Sequence, residues 1–167
     1  IYATNDQIAD VIADPRVQGV SVTGSERAGA AVAEVAGRNL KKVVLELGGS
    51  DPFILLGAED MDEAVDAAVA GRLDNTGQSC NAPTRMLVPR NRLKEATAIA
   101  VRTAEAVKTG DPTDPKTDMG PVVSELQWNK VQALIKKGID EGATLATGGT
   151  GRPAGLSRGY FVKPTVF

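Results

Sequence analysis

Two side chains stand out because their type does not suit their surroundings. Cys80, the chain's one cysteine, lies in the polar stretch "NTGQSCNAPTR". Glu46 interrupts the apolar run "KKVVLELGG" just before two glycines. A lone cysteine commonly packs as a small buried hydrophobe. This one sits between a Gly-Gln-Ser run and an asparagine, after a helix that stops near Gly77 and before a strand. Backbone N–H groups at such a turn stabilise both a thiolate and the oxyanion of an attacked carbonyl. Glu46 also has two readings. It faces solvent or pairs with a lysine such as Lys42, or it is a general base at the carboxyl end of a strand, where α/β sheets place their sites. An unpaired ionised carboxylate in a strand buried on both faces would cost several kcal/mol.

There is no histidine in the 167 residues. That count removes Ser-His-Asp and Cys-His catalysis and most zinc sites, so any activating base must be a carboxylate, a lysine or water. A loop cysteine with a strand-end glutamate would supply nucleophile and base without histidine.

A third stretch, "VTGSERAG", brings a strand into Gly24 and then into a helix capped by Ser25. Free N–H groups at a helix start can hold a phosphate. Gly24 allows close approach and Gly29 allows tight packing. The G-x-G-x-x-G dinucleotide pattern is absent.

The elements that must carry these residues follow from periodicity. Residues 17–24 read as a strand, and Ala28, Ala31, Val32, Val35 and Ala36 as one face of the next helix. Residues 41–49 read as a second strand, making a βαβ unit and hence a parallel sheet. "FILLG" (53–57) and "RMLVP" (85–89) read as strands. The helix between them has Met61, Ala64, Val65 and Ala68 on its apolar face. A long helix follows 89, with Leu93, Ala96, Ala100 and Val107 inward. "GDPTDPKTDMGP" reads as a surface loop. Ser124 and Gln127 form a capping box for a helix running to about Gly142, and "ATLATGG" and "GYFVKPTVF" read as strands. The class is α/β with a parallel sheet.

Composition sets the outer limits. With 42% apolar and 24% charged residues and a net charge of −2, nothing favours nucleic acid or an anionic membrane as partner. A single cysteine makes no internal disulfide and suits a reducing cytoplasm. The chain opens at "IYATNDQ" without a methionine and stops in "VKPTVF", so both ends read as cuts in a larger protein.

"LELGGSDP", then "NTGQSCNAPTR" some thirty residues later, with "VTGSERAG" upstream, strongly resembles the NAD(P)-dependent aldehyde dehydrogenase superfamily. Within it, "LELGGSDPFI" and "VTGSERAG" most resemble the bacterial succinate-semialdehyde dehydrogenase branch, and the likeness extends to "GYFVKPTVF". The resemblance implies a partial fold, with residues 1–47 ending the cofactor domain and 48–167 beginning the catalytic domain. It implies that Cys80 attacks an aldehyde and carries a thiohemiacetal, then a thioester after hydride passes to NAD or NADP. Glu46 would activate the hydrolytic water. Gly24 and Ser25, with Gly29 behind them, match the pyrophosphate stretch. Glu46, Leu47 and Gly48 lie where the family's chain passes the nicotinamide. No metal is implied.

The resemblance further implies an aldehyde substrate and a homo-oligomeric parent; a truncated parallel sheet exposes strand edges and apolar faces, so the fragment is expected to self-associate. The family's oxyanion asparagine and its ribose-binding lysine and glutamate would fall outside these residues, so weak independent activity is expected; one lost oxyanion donor costs roughly two to three orders of magnitude. Ala82 stands where some relatives carry a second cysteine. Arg85 is a weak candidate for gripping a substrate carboxylate. Relatives that pass the acyl group to coenzyme A or phosphate, and a non-enzymatic module with Cys80 and Glu46 as relics, are the alternatives. A water acceptor is favoured by Glu46.

Overall fold

A computed structural model describes residues 2–57 and 59–167. Its elements run α1 (Asn5–Ala13), β1 (Gly19–Thr23), α2 (Glu26–Arg38), β2 (Lys42–Glu46), β3 (Pro52–Ile54), α3 (Met61–Leu73), β4 (Arg85–Leu87), α4 (Leu93–Ala106) and α5 (Glu125–Asp140). The chain divides into two compact units, residues 1–49 and 50–167.

In the first unit β1 and β2 pair in parallel, with Gly19 opposite Lys42 and Thr23 opposite Glu46. The connection through α2 is the expected βαβ crossover. The helix starts at Ser25 for a local reason: Ser25 Oγ accepts from Ala28 N–H at 3.2 Å and satisfies one orphan donor. Ala36 and Gly29 are its buried residues, whereas Ala31 faces out. Lys41 Nζ donates to Asp14 O at 3.1 Å and Val17 O at 2.5 Å, tying the chain after α1 to the entry of β2. The helix α1 went unread in the sequence. Its signal was the Thr-x-x-Gln spacing, realised here as Thr4 N–H donating to Gln7 Oε1 at 2.9 Å.

In the second unit β3 and β4 pair in parallel, Pro52 opposite Arg85 and Ile54 opposite Leu87. The core lies between these strands and the α3–α4 pair, and is built on Leu55, Met61, Val65, Val69, Ala96, Ile99, Ala100 and Ala104. Asp60 caps α3 by accepting from Glu63 N–H at 3.0 Å. Across the helix pair Arg102 donates to Asp62 at 2.6 Å, and Thr103 to Asp66. A satellite cluster of Met119, Val122 and Val162 packs with Trp128 and Val131 of α5.

Three expectations are corrected. The strand read over 53–57 is shifted to Pro52–Ile54, and Leu56 is 87% exposed. Leu93 is 55% exposed rather than inward, because a 3-10 turn over Arg90–Arg92 offsets the start of α4, and Ile99 and Ala104 fill the core instead. The two C-terminal strands reduce to one antiparallel bridge, Thr147 with Val166. Gly148 and Gly149 have φ of +87° and +93°, and Pro164 has no N–H, so neither segment can sustain a ladder.

Candidate active site

The first unit gathers Gly24, Ser25, Gly29, Glu46, Leu47 and Gly48, and the second holds Cys80. Glu46 ends β2 and is exposed. Lys42, its suggested ion-pair partner, lies at the other end of the same strand, and among the described residues no ion pair forms between them. The rest of β2 is not buried on both faces: Val43, Val44 and Leu45 are 37%, 55% and 37% exposed.

The turn after β2 is held from two sides. Gly24 N–H donates to Glu46 O at 2.9 Å. Gly29 accepts the Leu47 side chain so closely that a Cβ there would stand 2.7 Å from Leu47 Cδ2. Gly29 therefore serves packing. Its lack of a side chain is what lets α2 lie on the residue after Glu46. At Gly48 a Cβ would meet nothing within 4 Å, so the space beside that backbone is open.

The start of α2 was read as a cluster of free N–H groups, and the structure refines that. Gly24 N–H is committed to Glu46, and Ala28 N–H to Ser25 Oγ. The N–H groups of Ser25, Glu26 and Arg27 have no acceptor among the described residues. Ser25 Oγ keeps its own proton to donate, and a Cβ at Gly24 would touch only Ala28 Cβ at 3.9 Å. Open backbone, uncommitted donors and a helix start together fit a phosphate group.

Cys80 is exposed and unpaired. It occupies a β-turn closed by Ala82 N–H donating to Ser79 O at 3.1 Å, and the N–H groups of Cys80 and Asn81 have no acceptor among the described residues. Ala82 is 4% exposed, so the turn is rooted in the interior on its far side. The approach to the thiol is unusual. After α3 the chain makes a 3-10 turn over Asp74–Gly77 in which Asn75, Thr76 and Gly77 have φ of 48°, 60° and 71°. Thr76 is β-branched, and a left-handed conformation there is costly. Arg72 Nη1 donates to Gly77 O at 3.3 Å, and Thr76 Oγ1 to Gly120 O at 3.2 Å. Gln78 donates from Nε2 to Asn75 O at 2.9 Å and accepts Val123 N–H on Oε1 at 3.0 Å.

Thr76 and Gln78 were not singled out in the sequence. Thr76 meets Gly120 and Gln78 meets Val123, each more than forty residues downstream, and no local pattern announces such bonds. A cavity of about 290 Å³ opens behind this turn, lined by Thr76, Gly77, Gln78, Met119 and Val122 among others; Cys80 does not line it. Downstream, Thr84 N–H donates to Asp51 O at 2.8 Å and Thr84 Oγ1 meets Ser50 Oγ at 2.9 Å, fixing the exit from the cysteine turn to the entry of β3. Arg85 is exposed and leans 3.5 Å from Ser50 O.

The aldehyde dehydrogenase family model matches residues 2–167. The chain belongs to the aldehyde dehydrogenase family. It is 55% identical over 159 residues, 95% of its length, to succinate-semialdehyde dehydrogenase [NADP(+)] of Deinococcus radiodurans, and covers 33% of that protein. It is 46% identical over 95% of its length to the 3-succinoylsemialdehyde-pyridine dehydrogenase of a Pseudomonas species, again covering 33% of it. The crystal structure of succinic semialdehyde dehydrogenase from Streptococcus pyogenes in complex with NADP+ superposes with a TM-score of 0.91 at 41% identity. That match covers 99% of this chain and 36% of the other. This member of the aldehyde dehydrogenase family thus spans about a third of the length of the curated relatives it matches. The α/β architecture with parallel strands is the corresponding part of that fold.

Proposed function

We infer that this chain is part of an NAD(P)-dependent aldehyde dehydrogenase that oxidises an aldehyde to its carboxylate, with succinate semialdehyde as the favoured substrate. The observation that carries the reading is the Cys80 turn: an exposed thiol with two uncommitted N–H groups beside it, delivered by a strained run of backbone. The names of the Deinococcus and Streptococcus relatives support the choice of substrate.

Cys80 Sγ, as thiolate, forms a bond to the carbonyl carbon, and the carbonyl oxygen takes the negative charge. The N–H of Cys80, which has no acceptor among the described residues, would stabilise that charge. NAD or NADP, when bound, supplies the hydride acceptor. Ser25 and the first N–H groups of α2 would hold its pyrophosphate, and Glu46, Leu47 and Gly48 would lie beside its nicotinamide. With C=O re-formed and the carbon's hydride lost to that acceptor, the acyl group would remain as a thioester on Cys80. Glu46 takes a proton from water, the water oxygen bonds to the acyl carbon, and the C–S bond breaks to return the thiolate. Residues 1–47 would end the cofactor domain, contributing Glu46 to the chemistry from their last positions, and 48–167 would begin the catalytic domain. A working thiol argues for a reducing, cytoplasmic compartment, and assembly as a homo-oligomer completes the reading.

The test uses the full-length gene product, with reduced cofactor followed by absorbance. Cys80→Ser should lower turnover by about four orders of magnitude or more. Glu46→Gln should keep the first-turnover burst and lose about 10²- to 10⁴-fold in steady state. A Cys80→Ser variant near wild-type rate would remove Cys80 as nucleophile. An unchanged steady state in Glu46→Gln would remove Glu46 as base.

A further inference from the structure

Gln78 stands two residues before Cys80, and its carboxamide is used at both ends. Nε2 reaches back to Asn75 O, which also accepts Gln78 N–H at 3.2 Å. Oε1 reaches across forty-five positions to Val123 N–H. The segment it reaches is firmly seated. Met119 and Val122 are each 2% exposed, Gly110 N–H donates to Met119 O at 3.0 Å, and Val122 N–H donates to Tyr160 O at 3.0 Å. Three consecutive left-handed residues persist only where the surroundings over-determine them. Here those surroundings are Gln78 and Thr76, each bonded to the 120–123 segment. The cysteine turn itself contributes one closing bond, Ala82 to Ser79.

We propose that Gln78 is the positioning residue of the nucleophile: by tying Asn75 O to Val123 N–H it fixes the direction in which the turn presents Cys80 Sγ and N–H to the aldehyde. This rests on Cys80 being the nucleophile. Gln78 touches no reacting atom and acts through the turn. Its loss should therefore slow attack while leaving the binding of aldehyde and cofactor in place.

The experiment compares Gln78→Leu and Gln78→Glu in the full-length protein, with Cys80→Ser in parallel. Glu keeps an acceptor for Val123 N–H and loses the donor to Asn75 O; Leu loses both. We measure kcat, KM for aldehyde and cofactor, the rate of Cys80 alkylation by iodoacetamide from intact mass, and the melting temperature. Gln78→Leu should lower kcat by about ten- to a hundredfold, the cost of a small misplacement, with both KM values and the melting temperature little changed. Gln78→Glu should fall between Leu and wild type, and the alkylation rate should follow the same order.

A wild-type kcat in Gln78→Leu overturns the proposal. So does a loss shared equally by Leu and Glu that tracks a fall in melting temperature. Should Gln78→Leu not fold, Gln78→Glu alone decides, since wild-type kcat there also overturns it. If Cys80→Ser still turns over, the nucleophile assignment has failed. If Cys80→Ser is dead and Gln78→Leu is wild-type, only the positioning role has failed.

Discussion

After β2 the chain turns through Glu46, Leu47 and Gly48 without any left-handed residue, held by one backbone bond from Gly24 and by Leu47 lying on Gly29. After α3 it turns through three left-handed residues, held by side-chain bonds from Thr76 and Gln78 to a distant segment. One turn is positioned by packing over a missing side chain, the other by strain secured with hydrogen bonds. Packing on a flexible leucine tolerates adjustment, since a rotamer change costs of order a kcal/mol. A strained backbone held by directional bonds has no such soft coordinate. Under the proposed function, the side chain delivered by the first turn would need only to reach a water, whereas the second would have to present both a sulfur and an N–H.

Substitutions at the two glycines sharpen this contrast. Gly77→Ala should give the larger effect. Its φ is +71°, and the added Cβ would stand 3.1 Å from Arg72 O, a backbone atom that cannot step aside. A loss of about 1–3 kcal/mol is expected from urea midpoints, with slower alkylation of Cys80. Gly29→Ala should cost less, about 1 kcal/mol, because the atom it meets is the far end of Leu47. Its main readout should be a raised KM for cofactor. Equal destabilisation by the two would break the distinction between a soft contact and a hard one.

The smallest expected effect is shared by the two units. In the first, hydrogen bonds from the Arg16 side chain and N–H hold the Asp14 carboxyl below its ordinary value of 3.8. In the second, the Arg92 side chain holds Glu95 below 4.5. Both are lowered on folding, so each contributes stability that is present above the ordinary value and lost as pH falls through the folded one. Both pairs are exposed, so the contributions are small. Comparing Arg92→Ala with wild type between about pH 6 and about pH 3 should show a slightly shallower acid slope in the variant. An identical slope would mean that the Glu95 pair contributes nothing.

The local elements were legible where a cap and a periodic face coincide. Ser25 starts α2 and Ser124 starts α5 by accepting the N–H three residues on, as their spacing suggests. Met61, Val65 and Ala68 line the core as their helical spacing implies. Cys80 and Glu46 stand out as candidates because each breaks the pattern around it, and the structure places one on an exposed turn and the other at an exposed strand end. The C-terminal strands were misread because apolar alternation says nothing of φ at Gly148 and Gly149. The tight packing expected at Gly29 had no partner legible in the sequence; in the structure the partner is Leu47.

The sequence by itself determined the βαβ order, the helix starts at Ser25 and Ser124, the chemical types available and, through the absence of histidine, the kind of base a nucleophile would need. These depend on neighbours within a turn or on a simple count. Only the tertiary structure decided that Asn75, Thr76 and Gly77 stay left-handed and that Gln78 faces Val123. A strained backbone conformation has no local stabilisation to advertise it. It exists because bonds from residues forty positions away outweigh the local preference.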